Sequence, residues 1–439
     1  MDDRPPGQLT RQAPRADRAP VRGRARQRAY MVAALPAGGV DELAELEELL
    51  YTAGAVSVGA MVQLRDQPHP NTYLGPGKLE ELKGEVARSD ANLVACDDEL
   101  TPRQERNLEE ALGVPVLDRT ALILDIFATH ANSAEGKLQV ELAQLQYNMA
   151  RMRGLWSHLD RLGVGGVGTR GPGEAQIETD RRLARNRISA LKRRLSHVSA
   201  NRGVMRAERE RAHLPQIALA GYTNAGKSTV LNALTGAEVG VRDRLFHTLD
   251  PTTRVLRAGG RDYLLTDTVG FIRKLPHQLV EAFGATLEET LRADLILHVV
   301  DGSAPEADRL GMLAAVDEVL AEIGADDVPR LLVLSKVDLL GEAERHTLSL
   351  EHPDGMLVSA LTGEGLPALA ERIESEFAST LVTVELLIPF SAGARLAELH
   401  RIAGDLIRED TADGVRVRAR LPRPAADRFA AYGLTAGPA

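Results

Sequence analysis

A single cysteine in 439 residues, Cys96, removes two kinds of stabilisation at once. It cannot close an intramolecular disulfide, and it offers no cluster of thiolates for zinc. It follows Asn92-Leu93-Val94-Ala95, which suits a small buried residue near a strand end. Long hydrophobic runs are missing too: none approaches the roughly 18 residues of a membrane span, so no membrane span is expected. The amino terminus is rich in arginine and lacks the apolar core of a secretory signal. These absences suit a cytoplasmic chain. Against them stands a hydrophobic fraction of 44%, ample for folding, in a chain too long for one core. A prior of about 150 residues per domain suggests three.

The most informative positive feature is Gly221-Tyr222-Thr223-Asn224-Ala225-Gly226-Lys227-Ser228-Thr229. It follows the apolar run Ile217-Ala218-Leu219-Ala220 and leads into Val230, Leu231, Ala233 and Leu234, so it lies between a buried strand and a helix. That is the setting of a phosphate-binding P-loop, with the full GxxxxGKS spacing. Its glycines let consecutive N–H groups turn toward one anion, and the helix start adds partial positive charge. Lys227 is expected to reach the β- and γ-phosphates and Ser228 to ligate Mg²⁺. About forty residues on, the strand Tyr263-Leu264-Leu265 runs into Asp267-Thr268-Val269-Gly270, a DxxG pattern. Its carboxylate would hold the Mg²⁺ shell and its glycine N–H would touch the γ-phosphate. Between the two lies Asp250-Pro251-Thr252-Thr253-Arg254, where Thr252 or Thr253 would complete the metal's coordination.

The base-reading element is Leu331-Leu332-Val333-Leu334-Ser335-Lys336-Val337-Asp338. A carboxylate accepts from guanine N1–H and the exocyclic amine together, and adenine presents no such pair, so Asp338 implies GTP as substrate. The usual pattern is NKxD, and Ser335 stands where asparagine is expected. Serine keeps one hydroxyl and loses the amide that braces neighbouring loops, which predicts weaker nucleotide binding with guanine preference retained. Val358-Ser359-Ala360-Leu361 supplies a last strand end, with a small residue whose N–H can meet guanine O6.

Charge is unevenly spread. Residues 151–211 hold fifteen Lys or Arg against six Asp or Glu, a surplus of nine, so the rest of the chain carries −18 within the total of −9. A basic island in an acidic protein points to a polyanionic partner. Leu138, Leu142, Leu145, Met149, Met152 and Trp156 recur at alternating spacings of 4 and 3, as do Ile188, Leu191, Leu195, Val198 and Met205 with Arg202 in the missing position. This is the seam of a long antiparallel helical hairpin. Its connector, Gly163 to Gly173, has six glycines in eleven residues and Arg170 available to phosphates.

The predicted architecture is α/β. Residues 1–28 read as a disordered Arg-rich tail, and residues 29–127 as a small parallel-sheet α/β domain, with strands at Met31–Leu35, Val56–Leu64, Leu93–Cys96 and Pro115–Leu117 and a helix at Val40–Tyr51. Gly75-Pro76-Gly77-Lys78 is expected to be a turn into a helix rather than a second phosphate loop. Residues 128–213 form the basic hairpin, 214–380 the P-loop GTPase domain, and 381–439 a small α+β domain with a helix from Ala392 to Glu409.

Four further segments carry a resemblance: Asn71-Thr72-Tyr73-Leu74-Gly75-Pro76-Gly77-Lys78, Asp118-Arg119-Thr120 through Phe127, Gly136-Lys137-Leu138-Gln139-Val140-Glu141-Leu142, and Gly168-Thr169-Arg170-Gly171-Pro172-Gly173-Glu174. With the nucleotide motifs they resemble the HflX family, translation-factor-class GTPases of the Obg–HflX group, over roughly residues 30–439. Ala175 departs from the threonine usual there. The resemblance favours Thr253 over Thr252, because related GTPases place this threonine directly before the arginine. It leaves two roles open for Asn224: holding K⁺ beside the phosphates, or bracing the loop. It also makes Phe271 informative, since signalling GTPases often carry a water-orienting glutamine there, so slow intrinsic turnover and stimulation by a partner are expected. The implied partner is the large ribosomal subunit and its rRNA, bound by a monomer whose GTP state separates stalled or hibernating ribosomes. The alternatives are a GTPase of large-subunit assembly and an RNA-remodelling nucleotide-binding factor.

Overall fold

The computed structural model describes residues 27–152, 179, 181–198, 214–237, 245–246, 249, 251–276, 279, 284–378, 381–403 and 406–434. Trp156, the Gly163–Gly173 connector with Arg170, Arg202, Met205, Asp250 and most of the Arg-rich tail lie outside these residues. The chain divides into two compact units, one built from residues up to Asp97 with Asn107–Leu117, the other from Asp98–Arg106 with Asp118 onward.

The first unit carries a four-stranded sheet in the order β2-β1-β3-β4, with β1 at Gln27–Leu35, β2 at Ala55–Leu64, β3 at Leu93–Cys96 and β4 at Val116–Asp118. β1 begins at Gln27, inside the stretch expected to be tail, and runs parallel to β2 and β3. Six consecutive residues of β1, Ala29 to Ala34, are buried, the unbroken apolar run of a strand covered on both faces. The helix expected from Val40 starts as a 3-10 turn to Leu43 and becomes α1 at Ala44–Ala53. Gly75 is the N-cap of α2, Pro76–Arg88, with proline in its first turn, so Gly75-Pro76-Gly77-Lys78 is the entry to a helix. Leu79, Leu82 and Val86 on one face of α2 are buried. Cys96 is fully buried at the end of β3.

In the second unit, α3 (Pro102–Leu112, shared with the first), α4 (Arg119–His130), α5 (Ala134–Met152) and α6 (181–198) precede the nucleotide-binding region. Leu138, Leu142 and Leu191 are buried together, flanked by Leu145, Ile188 and Leu195, so the two seams read from the heptad spacing face each other.

The central sheet has the order β10-β9-β8-β5-β7-β6. Its strands are β5 (Gln216–Gly221), β6 (Thr252–Ala258), β7 (Arg261–Asp267), β8 (Leu295–Asp301), β9 (Arg330–Ser335) and β10 (Met356–Leu357). All pair in parallel except β6, which is antiparallel to β7. Parallel order places the carboxyl ends of β5, β7, β8 and β9 on one edge, where open α/β sheets bind ligands. Helix α7 (Lys227–Thr235) follows β5, and α8 (Gly284–Leu291), α9 (Glu306–Glu322), α10 (Glu342–Glu351) and α11 (Leu366–Ala378) complete the domain.

The carboxyl-terminal sheet, β11 (Leu381–Ile388), β12 (Leu406–Thr411) and β13 (Gly414–Pro422), is antiparallel in the order β11-β13-β12. Here the helix expected to reach Glu409 stops: α12 spans Gly393–Ala403, and Leu406–Thr411 pairs with β13 instead. The two-residue turn Ala412-Asp413 closes this hairpin, with Thr411 paired to Gly414 at the first position of β13, and the Asp413-Gly414 dipeptide is the turn signal which should have outweighed the helical spacing. Leu386, Ile388, Leu399, Val415, Val417 and Phe429 fill the core beneath. The short helix α13 (Arg423–Arg428) ends the fold, whose class is the α/β arrangement expected from the sequence.

Candidate active site

The P-loop is shaped by backbone requirements that its sequence meets locally. A Cβ on Gly221 would lie 2.1 Å from the carbonyl oxygen of Val299 on β8, so no side chain fits. Asn224 sits at φ 60° and Gly226 at φ 89°, left-handed positions that asparagine and glycine tolerate best. Gly226 caps α7, which puts Lys227 in its first turn. The Lys227 ammonium donates to the carbonyls of Gly221 at 3.0 Å and Tyr222 at 2.8 Å. Burial pushes it down to about 8, against the pull of Asp267. A buried cation ringed by backbone dipoles matches an anionic ligand.

β7 ends at Asp267, fully buried, whose Oδ2 accepts from the Ser228 hydroxyl at 2.5 Å. A hydroxyl beside a carboxylate is a hard oxygen donor set, which fits Mg²⁺, an ion that takes few protein ligands and keeps water and phosphate for the rest. Thr268 turns its hydroxyl to the carbonyl of Leu219 at 2.7 Å. Val269 is buried. Gly270 lies against the P-loop, where a Cβ would be 2.9 Å from both Lys227 Nζ and Thr223 Cα. The two segments are then stitched together: Phe271 N–H donates to Gly221 O at 3.0 Å, and Thr223 N–H to Phe271 O at 2.7 Å. The Phe271 side chain is buried with Ala218, Ala220, Leu287, Ile296 and Val316, so it anchors this segment in the core.

Thr253 is not brought to this pair. Its hydroxyl lies 3.0 Å from that of Thr266, its partner across β6 and β7, while Thr252 stands opposite Asp267. Because successive side chains alternate faces, Thr253 and Asp267 point to opposite sides of the ribbon. For Thr253 to meet Ser228 and Asp267, the start of β6 has to separate from β7.

At the other end of the site, the buried Ser335 hydroxyl lies 2.6 Å from Ala225 O in the P-loop and 3.0 Å from Val300 O. One proton serves both carbonyls. Lys336, at φ 59°, pairs with Asp301 at 2.7 Å. Asp301, the last residue of β8, was not singled out from the sequence; its place at a strand end on the ligand edge was the available signal. The Asp338 carboxylate accepts from Ser359 at 2.6 Å, which orients it. Thr229 is half-buried on α7, Ala360 is half-buried, and Leu361 is 84% exposed. P-loop, DxxG segment, Ser335-to-Asp338 and Ser359-to-Leu361 thus line one sheet edge, as their order in the chain implied. No group of three or more His, Cys, Asp or Glu able to hold a metal occurs among the described residues, and no helix among them is long and apolar enough to cross a membrane.

Comparison with known proteins covers the same ground. Family models match three consecutive stretches: a GTP-binding GTPase N-terminal region at residues 40–128, a GTP-binding GTPase middle region at 130–209, and a 50S ribosome-binding GTPase at 216–336. GTPase HflX of Lacrimispora saccharolytica is 49% identical over 383 residues, covering 87% of this chain and 89% of that protein. GTPase HflX of Escherichia coli is 43% identical over 385 residues, covering 86% and 90%. Among solved structures, a GTP-binding protein from the archaeon Sulfolobus solfataricus in complex with GDP is 26% identical, covers 80% of this chain and 98% of that one, and superposes with a TM-score of 0.41. The 49% and 43% identity to these two HflX proteins, each over most of both chains, makes the assignment plain: the chain belongs to the HflX family of GTPases.

Proposed function

We propose that this GTPase binds the large ribosomal subunit through its basic hairpin, and that its GTP state promotes dissociation of stalled or hibernating ribosomes. The observation that carries the proposal is helix α6. Residues 181–198 hold seven Lys or Arg and no Asp or Glu, while Leu191 faces α5 and six of the seven cations are exposed. A helix with one apolar seam and cations elsewhere suits a phosphate backbone. The 50S ribosome-binding description of the family model matched at residues 216–336 supports the same partner.

Within the site, Lys227 and the P-loop N–H groups would neutralise the terminal phosphate oxygens, Gly270 N–H would sense the γ-phosphate, and Asp338 would read guanine. Ser228 and Asp267 would hold Mg²⁺, joined by Thr253 once β6 rearranges; the ion would neutralise charge developing on the phosphate oxygens. Ser359 would support Asp338, Lys336, held by Asp301, would flank the nucleotide, and the N–H groups from Ser359 to Leu361 would border the base. The Phe271 side chain, buried and without a polar atom, leaves the attacking water unoriented by this position, so slow turnover until a partner acts is the expected behaviour. K⁺ beside Asn224 is tested by rates in K⁺ and Na⁺ at equal ionic strength. The function is tested by co-sedimentation with ribosomes in GTP, GDP and a non-hydrolysable analogue. Binding indifferent to nucleotide rejects it, and association with precursor particles instead of intact subunits favours assembly.

A further inference from the structure

The Asp118-Arg119-Thr120 segment contributes nothing to the nucleotide site as described, yet its side chains reach two different parts of the second unit. Arg119 is 3% exposed at the first position of α4, and its Nε donates to the carbonyl of Arg273 at 3.2 Å. The N–H of the same residue, Arg273, donates to the Tyr222 hydroxyl of the P-loop at 2.8 Å. The Arg273 backbone, three residues beyond Gly270, is therefore held through its N–H by the P-loop and through its carbonyl by α4. Lys274, at φ 54°, is tied to Asp98 at 2.5 Å, which continues the attachment. Burial pushes the Arg119 guanidinium down to about 10, the cost of keeping a cation here; the nearby Tyr222 opposes that shift and Arg273 adds to it.

The opposite end of α4 grips the other switch segment. Phe127 meets Phe246 edge to face, with ring centroids 4.5 Å apart. Phe246 lies shortly before Thr252-Thr253. One helix of twelve residues thus touches the chain after the DxxG motif and the chain before the switch threonines.

The residue next to Arg119 faces the hairpin. Asp118 Oδ1 caps α4 through Ala121 N–H at 2.7 Å and accepts from the Tyr147 hydroxyl at 2.7 Å; its Oδ2 accepts from Leu100 N–H at 3.0 Å and from Arg151. Tyr147 and Arg151 belong to α5, and the Arg151 guanidinium lies 3.4 Å from the centre of the Tyr147 ring. Adjacent residues are consequently bonded to the hairpin and to the switch, with no flexible link between them.

We propose that Arg119 is a positioning residue for GTP hydrolysis, holding the end of the DxxG segment through the Arg273 carbonyl, and that with Asp118 it forms the joint between the α5–α6 hairpin and the nucleotide site. Loading or tilting α5 moves Asp118; Arg119 moves with it and shifts the Arg273 backbone against Tyr222. The first half rests only on the GTPase activity, and the second on the proposed ribosomal partner.

The test compares wild type with Arg119→Met, which keeps length and loses every donor, and Arg119→Lys, which keeps one donor group. Steady-state hydrolysis, nucleotide affinity and thermal melting are measured together. Arg119→Met is expected to lower kcat at least tenfold while KM and nucleotide Kd stay within about threefold, and Arg119→Lys to recover part of the loss. Unchanged kcat overturns the proposal, as does a joint collapse of kcat, affinity and melting temperature that lysine does not relieve. If Arg119→Met does not fold, Phe127→Leu at the other end of α4 is read by the same criteria. The joint is read by the ratio of nucleotide Kd with and without large ribosomal subunits, which linkage requires to equal the nucleotide's effect on subunit binding. A wild-type ratio above about five that falls to one in Arg119→Met supports the joint, and a ratio retained in the variant rejects it. A wild-type ratio of one sinks the ribosomal reading instead, and the kcat comparison still decides Arg119.

Discussion

Replacing Ser335 with alanine removes one hydroxyl and tests how β9 supports the P-loop. In the folded protein that hydroxyl lies 2.6 Å from the Ala225 carbonyl and is 2% exposed, so water does not replace it without a local opening. Leaving a buried acceptor unsatisfied costs about 1–3 kcal/mol. If the loop keeps its shape, the loss appears as a lower melting temperature. If the loop relaxes until nucleotide recruits it, the loss appears as weaker binding, by about 5- to 150-fold for the same energies. The sum of the two effects is what the geometry sets. Ser335→Asn is the complementary change: an amide has two protons for the two carbonyls, of Ala225 and Val300, that now share one. Satisfying the second is worth about 0.5–1.5 kcal/mol, or roughly 2- to 12-fold in affinity. Fluorescent GDP titration with parallel thermal melts gives both quantities. A Ser335→Ala protein that binds and melts like wild type refutes the brace, and with it the account of serine at this position.

Three other outcomes follow from the same geometry. Gly270→Ala places a methyl 2.9 Å from Lys227 Nζ and Thr223 Cα, so hydrolysis in a GTPase assay should fall at least tenfold; wild-type kcat would mean that the DxxG segment does not work in contact with the P-loop. His298 is buried on β8 and held down to about 4 by that burial, assisted by Arg330 and Lys227 and opposed by Asp317. The unfolded chain therefore takes up its proton first as pH falls below about 6.5. Its contribution is complete above that pH and is lost on acidification toward pH 4, up to about 3 kcal/mol. Denaturant titrations across that window should show a steeper loss for wild type than for His298→Leu, and parallel curves would contradict the assignment. Leu191→Ala empties the α5–α6 seam, where Leu191 is fully buried against Leu138 and Leu142. About 2–4 kcal/mol of local stability should disappear, seen as faster hydrogen exchange in α6 with the P-loop unaffected; protection equal to wild type would show that the helices do not depend on this contact.

Much of the site was legible because its parts are local. A P-loop needs particular backbone angles over nine consecutive residues, and glycine at 221 and 226 with asparagine at 224 is a local solution. Asp267 and Gly270 stand at fixed offsets from the end of a strand, and the α5–α6 seam follows from helix periodicity alone. Periodicity misled at Leu406–Glu409, where pairing with β13 outweighed a helical spacing, since strand or helix in a short segment is decided by what lies beside it.

By itself, then, the order of residues determined the phosphate loop, the strand-end positions of Asp267 and of Ser335-to-Asp338, and the apolar seams, all of which depend on neighbours a few places away. Only the tertiary structure decided that Ser335 braces a loop 110 residues earlier in the chain, that Thr253 faces Thr266 and not Asp267, and that Arg119 holds a carbonyl 154 residues distant. The physical reason is that a hydrogen bond is directional and works over about 3 Å. Which donor meets which acceptor across such separations is set by how sheets and helices stack, and no spacing along the chain encodes that meeting.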